Sequence, residues 1–292
     1  IKHIYIDLED RDWNAQETES LKFAYEFRKK YPALDIIDAY PFFADLRIIK
    51  EPYEIELIKK AVKITTDGLK EMMRHSGTDM YEYELEAYFD FILTKNGVTD
   101  KAFKTIAASG ERGTILHYNK NNSIMKDGDL LLVDCGAQVE WYNGDITRTF
   151  PINGKFTPLQ KQIYDIVLTG QKKVIDTIKP GTKFSRLNEV LKEHYFEELK
   201  KIGLAETKED VSKYYYHGVS HYLGAETHDI GRYGDRKLEP GMVLTVEPGL
   251  YIEEYGIGIR IEDDVLVNDN GCELLSEGFM KTTEEIEAFM GK

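Results

Sequence analysis

Apolar and small residues recur at helical spacing in two stretches, Ile55, Ile58, Val62, Thr65, Leu69 and Met72, then Leu159, Ile163, Ile166, Gly170, Val174 and Ile178. Each set would line one face of an amphipathic helix. A Gly-Thr pair follows each stretch, Gly77-Thr78 and Gly181-Thr182, 104 positions apart (181 − 77). A second helical stretch comes next and stops near Gly97 or Gly203, where a left-handed residue can close the last turn. The order helix, Gly-Thr, helix, strands thus occurs twice. That period is too long for a solenoid and reads as a duplicated half-domain.

The strand segments carry the chemistry. Lys126 to Gly136 and Glu239 to Gly249 each turn at a Gly, run through a short apolar strand and end on a carboxylate followed by X-Gly. The two carboxylates, Asp134 and Glu247, are 113 positions apart (247 − 134). Strands apolar on both faces are buried strands, so each acid is carried to one end of a sheet, a costly place for a negative charge. A second acid follows each, Asp145 after 11 residues (145 − 134) and Glu262 after 15 (262 − 247), suitable spacing for a return strand. If the hairpins correspond, four carboxylates converge. Unpaired, they would cost several kcal/mol per ion, and divalent cations are the natural compensation.

Residues 1 to 50 read as strand (Ile4 to Leu8), helix (Glu17 to Tyr31), strand (Asp35 to Ile37) and a short helix ending near Arg47, before the Lys50-Glu51-Pro52 break. Fifty residues of this pattern cannot easily bury a core alone. They are expected to be the end of an N-terminal α/β domain, with residues 51–292 forming one domain that closes on a helix from Glu284 to Met290. A small extension packed on the main domain is the other reading.

Composition narrows the class. The 292 residues are 42% hydrophobic and 31% charged, ordinary globular usage, and the net charge of −14 argues against a nucleic-acid surface. No apolar run approaches the roughly 18 residues that span a bilayer, so no membrane partner is expected. Two cysteines, Cys135 and Cys272, lack CxxC company and suggest a reducing, cytoplasmic setting.

Of seven histidines, His217, His221 and His228 fall within twelve residues, and His217 and His221 would share a face of an extended segment. A lone His is most often a hydrogen-bonded core residue. Three beside a carboxylate cluster point instead to a metal ligand with neighbouring proton donors. His194, among Lys192, Glu193 and Glu197, is expected on a solvated helix face.

Taken together, Leu132-Val133-Asp134-Cys135-Gly136, Gly144-Asp145-Ile146-Thr147-Arg148-Thr149-Phe150, His217-Gly218-Val219-Ser220-His221, Thr245-Val246-Glu247-Pro248-Gly249-Leu250-Tyr251 and Gly258-Ile259-Arg260-Ile261-Glu262-Asp263-Asp264 resemble the pita-bread metallopeptidases. This is the creatinase, aminopeptidase P and prolidase family; the aminopeptidase P branch is closest. The five motifs, in order over about residues 50 to 292, are specific as a set.

The resemblance implies an α+β pita-bread fold with pseudo-two-fold symmetry and a curved, mostly antiparallel sheet. It implies a dinuclear centre in which Asp134 and Asp145 hold one ion, His221 and Glu247 hold the other, and Asp145 and Glu262 bridge them. One imidazole and four carboxylates suit Mn(II), with Zn, Co or Fe(II) also able to fit. His117, His217 and His228 are implied as proton carriers around a substrate, with Tyr251 and Arg260 orienting ligands and substrate. The implied reaction is hydrolysis of an N-terminal Xaa-Pro bond by a hydroxide shared between the ions, assisted by Glu247. A peptide with proline second is the implied partner, and a homodimer the implied state of the longer protein.

Two departures stand out: Arg112 lies where the family often has Asn, and only the end of the N-terminal domain is recognisable. Prolidase shares the metal set and stays open as an alternative; Ser220 leans toward the aminopeptidase by likeness alone. A creatine hydrolase would not keep these ligands. A non-catalytic binding module would be expected to lack some of them.

Overall fold

The computed structural model describes residues 2–8 and 17–291. In chain order the elements are β1 (His3–Ile6), α1 (Glu19–Lys30), β2 (Asp35–Asp38), α2 (Tyr40–Ile48), α3 (Pro52–His75), α4 (Glu82–Lys95), β3 (Ile106–Ser109), β4 (Leu130–Cys135), β5 (Gln138–Val139), β6 (Tyr142–Asn143), β7 (Ile146–Pro151), α5 (Pro158–Thr177), α6 (Phe184–Lys201), β8 (Val243–Val246), β9 (Gly249–Ile252), β10 (Ile257–Arg260), β11 (Asp263–Asn268), β12 (Gly271–Leu274) and α7 (Thr283–Met290).

The two long helices start where local chemistry tells them to. Pro52 and Pro158 occupy first-turn positions, where a missing N–H costs nothing. Ahead of α3 the Glu54 carboxylate accepts the Glu51 N–H at 2.7 Å, and ahead of α5 Thr157 and Gln160 cap each other reciprocally. Of the first apolar stripe, Ile58, Val62, Thr65, Leu69 and Met72 are buried; of the second, Ile163, Ile166, Gly170, Val174 and Ile178, while Leu159 is exposed.

β4 lies between β3 and β7, and β11 lies between β12 and β8, all pairs antiparallel. Asp134 of β4 is opposite Thr147 of β7, and Val246 of β8 is opposite Asp263 of β11. The turns entering β4 and β8 are built alike: Gly128 and Gly241 have φ of +82° and +89°, a region an L side chain enters only with strain. The Glu262 N–H donates to Thr147 O at 3.0 Å and ties one strand pair to the other. β1 and β2 are the one parallel pair among the described residues.

A buried ion pair secures this junction. Arg148 and Asp263, both with fully buried side chains, meet at 2.7 Å, and Arg148 also donates to the carbonyls of Thr147, Glu262 and Met280. Burial would raise the Asp263 carboxyl; Arg148 and Lys281 outweigh it and bring it down to about 2.

One expectation is corrected. His194 is not on a solvated face: it is 4% exposed. Leu187, Leu191, His194 and Tyr195 form the buried stripe of α6. Nε2 of His194 donates to Ile166 O at 2.9 Å, and Nδ1 accepts from Lys173 Nζ at 3.0 Å. Gly170 permits the approach, since a Cβ there would lie 3.0 Å from His194 Cδ2. Neighbouring charges in sequence suggested solvent, but the i, i+4, i+7 spacing from Leu187 decides the face. Among the described residues no helix is long and apolar enough to cross a membrane.

Candidate metal centre

The strand pairs deliver their acids to one place. Asp134 sits at the end of β4 and Asp145 immediately before β7, so an antiparallel pair brings both to the same end. Glu247 follows β8 and Glu262 precedes β11 in the same relation. Small residues allow the close approach: a Cβ on Gly136 would lie 2.0 Å from Gly144 O, which forbids any side chain two residues after Asp134.

His221 comes from the segment alongside β8. Glu247 N donates to Val219 O, Thr245 N to His221 O and Leu223 N to Val243 O, at 2.9 to 3.1 Å. The His221 ring then donates from Nδ1 to Tyr222 O at 3.0 Å, which leaves Nε2 with its lone pair. That nitrogen lies 3.5 Å from Asp145 Oδ2 and 3.6 Å from Glu247 Oε1. Donor atoms of Asp145, His221 and Glu262 all fall within 4.8 Å of one another.

The electrostatics are those of a site short of positive charge. Burial, then Asp134, Asp264 and Glu247, push the Asp145 carboxyl well above the carboxylate range. Burial, then Asp145, Glu247 and Asp134, do the same to Glu262. Burial raises Glu247, against the pull of His221 and Arg260. Arg260 answers part of this: it bonds Asp134 Oδ2 at 2.6 Å, Tyr251 Oη at 3.0 Å and Thr147 Oγ1 at 3.2 Å. Yet Asp134 Oδ1 and Asp145 Oδ1 are buried and, among the described residues, accept no hydrogen bond. Hard oxygen donors left without a partner beside a free imidazole nitrogen fit divalent cations.

A cleft of about 910 Å³ opens over these groups, its wall including His117, His217 and His228. His217 is held as a neutral imidazole: Nδ1 donates to Gly218 O at 2.7 Å, and Nε2 accepts from Tyr251 Oη at 2.8 Å. Burial, aided by Arg260, lowers it to about 4. His228 stacks edge-on against His221 with centroids 4.5 Å apart; desolvation, then His221 and His117, lower it as well. His117 is exposed on the wall.

The metallopeptidase family M24 model matches residues 56–269. The chain belongs to metallopeptidase family M24. Among M24 relatives, the Xaa-Pro aminopeptidase of Escherichia coli (strain K12) is 42% identical over 275 residues, 87% of this chain and 62% of that protein. The chain therefore spans about three fifths of the length of that curated relative. A solved Bacillus anthracis structure, provisionally described as an aminopeptidase P, is 52% identical with a TM-score of 0.94 over 99% of this chain and 69% of that one. Zinc-substituted E. coli aminopeptidase P in complex with product is 37% identical with a TM-score of 0.87 over 99% and 71%. The M24 fold of mixed helix and sheet, the pita-bread fold, is thus that of this chain.

Three residues that bond the candidate ligands were given no role in the sequence reading. Thr147 Oγ1 donates to Glu262 Oε2 at 2.7 Å, Asp264 Oδ2 accepts the Asp145 N–H at 2.9 Å, and Thr245 Oγ1 accepts the His221 N–H at 3.2 Å. Strand alternation held the signal for the first two: Thr147 is two residues from Asp145, and Asp264 two from Glu262.

Proposed function

We propose that this chain is a metal-dependent aminopeptidase that removes an N-terminal residue preceding proline. The observation that carries this reading is the clustering of Asp145, His221 and Glu262 in a cleft that Asp134 and Glu247 also line, with buried, unpartnered oxygens on Asp134 and Asp145. In this reading the two pseudo-symmetric halves share the ligand set. Asp134 and Asp145 hold one divalent ion, His221 and Glu247 the other, and Asp145 and Glu262 are shared, with Mn(II) the ion best suited to so oxygen-rich a set. When bound, such ions supply Lewis acidity, polarising a carbonyl and lowering the pKa of a water toward about 7.

The rest is the work of side chains. Glu247, which lines the cleft beside His221 and whose carboxyl is raised by burial, is suited to take up a proton and pass it on. A prolyl nitrogen carries no N–H and must gain a proton to leave, so the group that supplies it has to face the cleft, as His117 and His228 do. Neutral His217, with both ring nitrogens engaged by Gly218 O and Tyr251 Oη, is a fixed wall of the cleft, and it has to give up one of these partners before it can act as the proton carrier the resemblance implies. Phe103, Ile106 and Leu116 give the cleft the apolar surface that a pyrrolidine ring requires. Residues 1–50 are read as the end of an N-terminal domain and 51–292 as the catalytic domain. The free thiols of Cys135 and Cys272 suit a reducing, cytoplasmic setting.

The test is hydrolysis of Ala-Pro-Ala against Ala-Pro with Mn(II), beside a chelated control. Metal-dependent release of alanine from the tripeptide is expected. Preference for the dipeptide would move the chain to the Xaa-Pro dipeptidases, and no metal-dependent cleavage of either would overturn the reading.

A further inference from the structure

Glu82, the first residue of α4, is 0% exposed, and among the described residues no cation lies within ion-pair distance of it. Its carboxylate instead accepts four hydrogen bonds. Oε1 receives Ser109 N at 2.9 Å and Ser109 Oγ at 2.6 Å; Oε2 receives Tyr118 Oη at 2.8 Å and Ser123 N at 3.0 Å. The Glu82 N–H also donates to Ser123 O at 3.0 Å.

These donors share one piece of chain. Ser109 closes β3 and Ser123 lies 14 residues on, so one carboxylate holds both ends of the excursion 109–123 at its neck. Between those ends the chain puts Leu116, His117 and Asn119 on the cleft wall. Tyr118, the residue after His117, is the one side chain of the excursion's middle that reaches back to Glu82.

Other contacts hold the excursion elsewhere. One helical turn along α4, Glu86 Oε2 accepts Asn121 Nδ2 at 2.9 Å, while Asn121 Oδ1 accepts Ala107 N at 2.9 Å. On the far side Tyr216 Oη donates to Thr114 O at 2.9 Å, and a Cβ on Gly258 would lie 1.9 Å from Gly113 O.

The choice of a carboxyl group over an amide is specific. Two of the four donors are backbone N–H groups that cannot turn round, one at each oxygen, so a neutral amide would set its own NH2 against one of them. Burying a carboxylate costs several kcal/mol, and each of the four donors offsets part of it.

We propose that Glu82 is a positioning residue: its carboxylate staples the neck of the excursion 109–123 and thereby holds His117 in the cleft. The link to catalysis rests on the aminopeptidase reading; the link to His117 does not.

The experiment compares wild type with Glu82→Gln and Tyr118→Phe, each loaded with Mn(II) for kinetics and metal content and with diamagnetic Zn(II) for the resonances. It measures amide hydrogen exchange by segment, the His117 imidazole resonances (assigned with His117→Gln), metal content, and kcat and KM on Ala-Pro-Ala. In Glu82→Gln, exchange over 109–123 should quicken by about 10-fold or more while α5 and α6 keep wild-type protection. The His117 signals should broaden or move toward those of free histidine, with metal content unchanged. Turnover should fall by about 10- to 100-fold, the scale of a catalytic group displaced by about 1 Å. Tyr118→Phe should move the same readouts less, and it decides the matter if the Gln variant does not fold. Wild-type exchange and His117 signals in the variants would overturn the proposal, as would loss of protection spread equally over the whole chain. If wild type cleaves no Xaa-Pro peptide, the function reading fails while exchange and the imidazole signals still decide this one.

Discussion

Asp145→Asn keeps the side-chain volume and removes one charge from the carboxylate cluster. Asp145 is 4% exposed, its Oδ1 accepts nothing among the described residues, and its Oδ2 lies 3.5 Å from His221 Nε2. Without metal, this carboxyl sits in the fold only at a cost. At pH 7 the most it can cost is the work of keeping a proton against its ordinary value of 3.8, about 3 units at about 1.4 kcal/mol each, or about 4 kcal/mol. For a chain of this size about 1 kcal/mol moves Tm by roughly 2 °C. The chelated variant should therefore melt above chelated wild type, by about 2 to 8 °C. Metal should reverse the order. Mn(II) at about 1,000 times its Kd stabilises one site by about 4 kcal/mol, or roughly 8 °C. The variant, lacking the carboxylate assigned to both ions, should gain less than about 2 °C. Scanning calorimetry with and without chelator reads all four values. A chelated variant that melts well below chelated wild type, or one that keeps the full metal-induced gain, would refute the reasoning.

Arg148→Met takes from the fully buried Asp263 one of its two cations, leaving Lys281 at 2.6 Å, and removes a donor from three carbonyls at the junction of the strand pairs; breaking a buried pair outright costs about 3–5 kcal/mol, so calorimetry should show Tm down by at most roughly 6–10 °C, and a drop under about 2 °C would contradict it. His194 is lowered from its ordinary value by burial, with Lys173 adding to the effect. It is therefore neutral in the fold, its contribution is complete above pH 6.5, and it is lost as pH falls from there toward the lowered value. Wild-type Tm should thus drop more steeply than that of His194→Gln between pH 7.5 and about 5.5, and parallel slopes would count against this. His228→Ala should leave metal content at the wild-type level, because the ring stacks on His221 and is not a ligand in the assigned set. Its kcat should fall by about 10²- to 10⁴-fold, and loss of metal by elemental analysis would show that the residue was misassigned.

Much of the fold was legible because local rules wrote it. The α3 and α5 stripes, the proline starts and the glycine turns before β4 and β8 follow from helical period, missing N–H groups and left-handed backbone, none of which needs a distant partner. The candidate acids were legible for a related reason: an acid at the end of an apolar strand is costly wherever it lands, so its presence announces a compensating partner.

Tertiary structure alone decided who that partner is and what else is buried. It paired Arg260 with Asp134, set Asp264 under the Asp145 amide, and gave His194, whose face the helical spacing already decided, the Ile166 carbonyl as its partner. It also gave Glu82 four donors from a stretch 27 to 41 residues away. In sequence Glu82 is one more acid at a helix start. A residue's own neighbours set its backbone, whereas the cost of its charge is set by atoms that only folding brings within about 3 Å.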